Sequence, residues 1–173
     1  LGKKIGAILG GTLVTVAAIG AVIVASKLSK INTVKLDTDK LSVSKEAKKR
    51  GSGYLNVALF GVDSRDNDLD KGTRSDTIMI ASLNKKTMKV KIASIYRDTL
   101  SEQEDGTLNK INAAYSYGGP EGALSVLNKN LDMNIEHYVT VNFNSMIDIV
   151  DSVGGIDIDV QEDEMPYICG YVQ

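Results

Sequence analysis

Between Ile5 and Ala25 the chain reads IGAILGGTLVTVAAIGAVIVA, without a single charge. At 1.5 Å per residue such a helix matches the roughly 30 Å hydrocarbon core of a bilayer. A helix satisfies its own backbone hydrogen bonds in lipid, so the internal glycines are tolerated. A cleavable signal has a shorter apolar core, about 7–15 residues, followed by a small-residue cleavage site. The uninterrupted length therefore predicts an uncleaved transmembrane helix over 5–26, with 1–4 as a short cytoplasmic end. Gly6 and Gly10 stand at helix-packing spacing, although glycine is common in such helices. Lys3 and Lys4 precede the segment, and Lys27, Lys30 and Lys35 follow it. Counted literally, these charges place the C-terminal side in the cytoplasm, so charge alone does not settle the orientation.

Residues 27–53 are polar and rich in lysine, ending in Lys48-Lys49-Arg50-Gly51-Ser52-Gly53. They read as a solvated linker, helical around Ser44–Lys49. The basic run also suits contact with anionic head groups or wall polymers.

The pattern changes after Gly53. Tyr54–Gly61, Thr77–Leu83 and Lys89–Tyr96 are continuous apolar runs of strand length, the signature of strands buried on both faces. Only the polar Asn84–Thr87 separates the second from the third, which predicts a hairpin. Helical patterns follow at Asn109–Tyr117 and Pro120–Asn130, split by Gly118-Gly119. His137–Asn142 returns to a strand pattern, Asn144–Val153 is an amphipathic helix, and Ile156–Val160 reads as a further strand. Strands mixed with helices that cover both faces make an α/β sandwich over 54–173.

Composition removes several function classes. With 20 Lys and Arg against 22 Asp and Glu, the formal charge is -2. No basic recognition helix is present, so nucleic acid is not an expected partner. One cysteine, Cys169, and one histidine, His137, cannot make an internal disulfide or a zinc cluster. His137 at a strand start reads as structural. Asp66, Asp68, Asp70 and Gly72 resemble a calcium loop, but Lys71 and Thr77 occupy the positions where an EF-hand needs glycine and glutamate. A polar surface loop is the better reading.

The chemistry-bearing residues sit at strand ends: Asp63 and Arg65 after the first strand, Arg74 and Asp76 before the second, Arg97 and Asp98 after the third. If the second strand runs antiparallel to its neighbours, all six gather at one edge of the sheet. Aspartates hold Mg²⁺ through one or two oxygens with phosphate completing the octahedron, and arginine forks bind phosphate in pairs. Ion pairs that merely fasten loops are an equally open reading of this spacing.

GVDSR, TRSDTIMIASLN, VKIASIYRDT, LNKINAAYSYGGPEGAL and NFNSMIDIVDSVGGIDIDV follow one another in the order of the motifs of the LytR-CpsA-Psr domain, which Leu55 to about Gln161 closely resembles. The resemblance implies a mixed sheet sandwiched by helices, outside the membrane and held at the cell membrane by one N-terminal helix. It implies transfer of a glycopolymer, such as wall teichoic acid or capsule, from a polyprenyl-pyrophosphate carrier to peptidoglycan. By the same resemblance Asp63 and Asp76 hold Mg²⁺ against the pyrophosphate, and Arg74 and Arg97 bind its oxygens. Lys110 is a weaker candidate for the same pocket, with Arg65 and Asp98 in support. The family carries a further arginine-rich segment later in the domain, so 54–173 is expected to be the N-terminal part of a catalytic domain. A non-catalytic envelope regulator or wall-glycan binder is the alternative; the retained Asp63, Asp76, Arg74 and Arg97 favour transfer.

Overall fold

Three apolar runs and the His137 segment build one four-stranded sheet in the order β3-β2-β1-β6. Its strands are β1 (Tyr54–Val62), β2 (Ser75–Asn84), β3 (Val90–Ile95) and β6 (His137–Val141). β2 is antiparallel to both β1 and β3, whereas β6 joins β1 in parallel, so the sheet is mixed. The structure is a computed structural model and describes residues 33–64, 69 and 72–171. Two compact units, Leu1–Leu36 and Asp37–Gln173, divide the chain. The apolar segment 5–26 and the predicted site residue Arg65 lie outside the described residues. Among the described residues, no helix is long and apolar enough to cross a membrane.

The expected β2–β3 hairpin forms because Asn84 closes its own turn. The Asn84 side-chain carbonyl accepts from the backbone N–H of Lys86 and Thr87, at 3.0 and 2.9 Å. Alternation then sorts the sheet into two faces. Ala58, Phe60, Val62, Ile78 and Ile80 are at most 5% exposed and form the core face. Over it lies α2 (Ala113–Leu131), whose Tyr115 meets Phe60 edge-on with ring centroids 5.2 Å apart.

α2 is two helical pieces rather than one. Gly119 takes φ 63°, ψ -156°, a backbone conformation open to glycine, and Pro120 restarts the helix. The split at Gly118-Gly119 thus matches the expectation, but the first piece begins at Ala113 rather than at Asn109. Leu108–Lys110 instead form β5, paired with β4 (Leu100–Glu102) in a small separate hairpin. Three-residue strands carry too little periodicity to be separated from a helix start.

Three further expectations are corrected. The linker ends earlier than residue 53: residues 37–53 belong to the same compact unit as the sheet. α1 (Lys45–Gly51) is capped by Ser44, whose hydroxyl accepts from the Ala47 N–H at 2.9 Å. Leu41 and Ala47 are buried, and the Asn128 amide on α2 donates to the Leu41 carbonyl at 2.9 Å. Ile156–Val160 is not a strand; it has no ladder partner among the described residues, and Ile156 and Ile158 are exposed. The amphipathic α3 (Phe143–Ser152) forms as expected, and α4 spans Met165–Tyr171. Helices do not cover both faces among the described residues: on the side opposite α2, Val90, Ile92 and Val139 are 57%, 64% and 49% exposed.

Candidate functional site

The antiparallel placement of β2 brings its start beside the ends of β1 and β3. Gly61 faces Thr77 and Val62 faces Ser75, so the register skips Asp76. Asp76 is the extra residue of a β-bulge, a device that re-aims a side chain at a strand end. Gly61 permits the close approach there: a Cβ at this position would lie 3.0 Å from Thr77 Cβ. Ser75, the residue before the bulge, is fully buried.

Beyond β3 the chain turns at once. The Thr99 N–H donates to the Tyr96 carbonyl at 3.0 Å, placing Arg97 and Asp98 at the tip of the turn. The main chain of this turn is tied to the entry of α2. Asn112 N–H donates to the Arg97 carbonyl and Ile111 N–H to the Thr99 carbonyl, at 3.2 and 2.8 Å. Lys110, on β5, is thereby brought beside the turn.

The side chains join in one string. Arg97 Nη1 donates to Asp76 Oδ1 at 2.7 Å, and Arg97 Nε lies 4.0 Å from Asp98 Oδ2. Lys110 Nζ reaches Asp98 Oδ1 at 2.7 Å. Lys110 holds the Asp98 carboxyl below the usual carboxylate range, and the charges of Arg97 and Arg74 add to the effect. Arg74 and Asp63 are exposed at the same end of the sheet, and the Asp63 carbonyl accepts from Thr73 Oγ1 at 3.2 Å. Six of the seven residues singled out by sequence, Asp63, Arg74, Asp76, Arg97, Asp98 and Lys110, therefore collect at one edge, with Asp98 linking Arg97 and Lys110. The Asp98–Lys110 pairing is not legible in the sequence, because it depends on the β4–β5 hairpin.

These pairs are roughly half exposed, so solvent screens them and their contribution to folding is small. Their charged atoms remain open to a ligand from solvent. Among the described residues, no group of three or more His, Cys, Asp or Glu side chains converges on a metal position. Asp63 and Asp76 supply two exposed carboxylates at one edge. Hard oxygen donors in that number fit Mg²⁺, which commonly takes one or two protein carboxylates and fills its octahedron with water and phosphate oxygens. Asp76 would exchange part of its contact with Arg97 for the ion.

A mixed α/β domain that gathers arginines, a lysine and carboxylates at one sheet end has the makings of a binder of anionic oxygen ligands. The LytR_cpsA_psr family model matches residues 19–168, and the chain belongs to that family. It is 39% identical over 126 residues to the polyisoprenyl-teichoic acid–peptidoglycan teichoic acid transferase TagU of Bacillus cereus, covering 72% of this chain but 40% of that protein. It is similar to the crystal structure of B. subtilis TagV at a TM-score of 0.55 and 35% identity, over 62% of this chain and 43% of that one. It also shares the fold of the LytR-CPS2A-psr family protein YwtF (TagT) with bound octaprenyl pyrophosphate lipid. That likeness has a TM-score of 0.56 and 23% identity, over 77% of this chain and 47% of that one. The chain thus spans less than half the length of these relatives.

Proposed function

We propose that this chain carries the phosphate-handling edge of a membrane-anchored, extracytoplasmic phosphotransferase that moves a glycopolymer from a polyprenyl-pyrophosphate carrier onto peptidoglycan. The observation that carries the reading is the Asp76–Arg97–Asp98–Lys110 string beside Asp63 and Arg74. The name of the 39% identical relative supports the same substrate pair.

In the proposed reaction an acceptor hydroxyl oxygen attacks the phosphorus that bears the glycan. The bond from that phosphorus to the bridging oxygen breaks, polyprenyl phosphate leaves, and the hydroxyl proton passes to solvent. Arg97 and Arg74 bind the non-bridging oxygens and offset the charge that builds on them. Asp98 holds Arg97 and Lys110 in place from opposite sides. Asp63 and Asp76 would hold Mg²⁺, which when bound lowers repulsion of the incoming hydroxyl and stabilises the leaving phosphate. The helix over 5–26 would hold the domain at the cell membrane, beside the lipid carrier.

The test is transfer of a labelled lipid-pyrophosphate glycan onto peptidoglycan oligomers by the membrane-inserted protein. Asp63→Ala and Asp76→Ala should each remove most transfer, and a chelator should do the same. Arg97→Ala should weaken binding of the lipid pyrophosphate, with Arg97→Lys rescuing in part because it keeps charge but loses the fork. Transfer that persists in chelator and in the double aspartate variant would leave these residues as loop-fastening ion pairs. Protease treatment of intact protoplasts tests the topology: residues after Lys27 should be cut from outside.

A further inference from the structure

A recess lies beside the β4–β5 hairpin, apart from the charged string. Its volume is about 220 Å³, and it opens between the hairpin turn and the kinked start of α2. Glu104, Asp105, Thr107 and Asn109 line one wall, and Tyr117 and Gly118 the other. Tyr117 is 71% exposed. A large aromatic ring left in water beside a polar recess is a ready stacking surface.

The hairpin turn is braced by its own side chains. Asp105 Oδ1 accepts from both the N–H and the hydroxyl of Thr107, at 2.9 and 2.7 Å, and Gly106 adopts φ +83°. Those bonds hold the Asp105 carboxyl below its ordinary range, so it is charged at neutral pH. On the opposite wall, a Cβ added at Gly118 would meet nothing within 4 Å. Gly118 therefore borders open space in the recess that Tyr117 also lines.

A pyranose ring matches this set of groups. One of its faces is a patch of C–H groups that packs on an aromatic ring, and its rim carries hydroxyls that donate to carboxylates and amides. Two carboxylates on one wall disfavour a polyanionic chain such as a glycerol-phosphate polymer. Successive residues of β5 face opposite sides: Lys110 joins the charged string while Asn109 lines the recess.

We propose that this recess is a subsite for uncharged sugar, taking one or two pyranose rings of a glycan strand with Tyr117 stacked on a ring face. Its use as the acceptor-strand subsite rests on the transferase reading above; sugar binding itself does not.

The experiment titrates β-1,4-linked N-acetylglucosamine oligomers, and separately poly(glycerol phosphate), into the full chain in lipid nanodiscs. Binding is read by calorimetry and by saturation transfer to the sugar ring protons. The oligomers should bind and the anionic polymer should not. Tyr117→Ala should weaken association about tenfold, and Tyr117→Phe should retain it. Gly118→Leu, which fills the space without backbone strain, should abolish it. Tyr167→Ala, at an equally exposed tyrosine on α4, should bind like the parent. Absence of oligomer binding by the parent chain, or binding unchanged in both Tyr117→Ala and Gly118→Leu, would overturn the proposal. Preferential binding of the anionic polymer at Tyr117 would overturn it as well. Intact sugar binding in a protein that transfers nothing would sink the transferase reading and leave the subsite standing.

Discussion

Replacing Asn128 should unfasten the segment that leads into the domain. This side chain is 2% exposed and makes three hydrogen bonds in the interior. Its amide nitrogen donates to the carbonyls of Leu41 and Ile135 at 2.9 and 3.0 Å, and its oxygen accepts from the Ile135 N–H at 2.8 Å. Asn128→Leu keeps similar volume and leaves those three backbone groups without the partner they have in the folded chain. A buried group left unsatisfied costs about 1–3 kcal/mol, and burial of the apolar leucine side chain offsets part of that. The expected loss is about 3–5 kcal/mol, a large share of the roughly 5–15 kcal/mol that holds a domain together. The assay is urea unfolding of the full chain in micelles, followed by far-ultraviolet circular dichroism. Limited trypsin digestion is its companion. Cleavage after Lys48, Lys49 and Arg50 should accelerate in the variant, because the Leu41 carbonyl anchors the segment that feeds α1. A shift of less than about 1 kcal/mol, with unchanged trypsin cleavage, would refute the claim that this side chain clamps the segment.

Other perturbations test the sheet end and its charges. Gly61→Val should cost about 1–3 kcal/mol by overpacking against Thr77, and Thr77→Gly should restore much of it, as measured by thermal unfolding. Because the Asp98 pKa is lowered on folding, its ionised form stabilises the fold above the unfolded-state pKa, and that contribution is lost as pH falls through the lower folded value. Lys110→Ala should move the Asp98 carboxyl back toward its ordinary range, visible in a carbon-detected NMR titration below about pH 5. Tyr115→Phe should destabilise by about 1–2 kcal/mol, since its hydroxyl donates to the Leu69 carbonyl at 2.6 Å and lies 3.1 Å from Thr140 Oγ1.

Much of the sheet was legible because its strands are written as unbroken apolar runs. Asn84–Thr87 marked the hairpin, and Gly118-Gly119-Pro120 marked the break in α2. β4 and β5 were not legible: three residues cannot display a period, and LNKINAAY reads as one helix until its first residues find partners across a turn. The packing of residues 37–53 was hidden for a related reason. Leu41 and Ala47 stand in a stretch rich in polar residues and lysine, and only their burial in the folded chain shows that they are inside. Ile156–Val160 alternates like a strand, but alternation reports a capacity to pair and not the presence of a partner. At the candidate site, residue types and strand ends could be read directly. The bulge at Asp76 and the Asp98–Lys110 pair could not, since both arise from register and from a hairpin that local sequence does not announce.

The charged edge has a kinetic consequence. Asp63, Asp76 and Asp98 are matched by Arg74, Arg97 and Lys110, so these six groups sum to no formal charge. Seen from beyond a Debye length, about 8 Å at physiological ionic strength, they present multipoles and not a cationic funnel. An anionic ligand is then hardly steered toward this edge by the six groups themselves. It meets the guanidinium groups only at contact range, where Arg97 can turn from Asp76 to a phosphate oxygen. Association with these groups should consequently show a shallow dependence on salt, whereas dissociation should depend on how well the displaced carboxylates are re-satisfied. On the proposed reading, delivery of an anionic substrate would then depend on confinement beside the edge more than on long-range attraction.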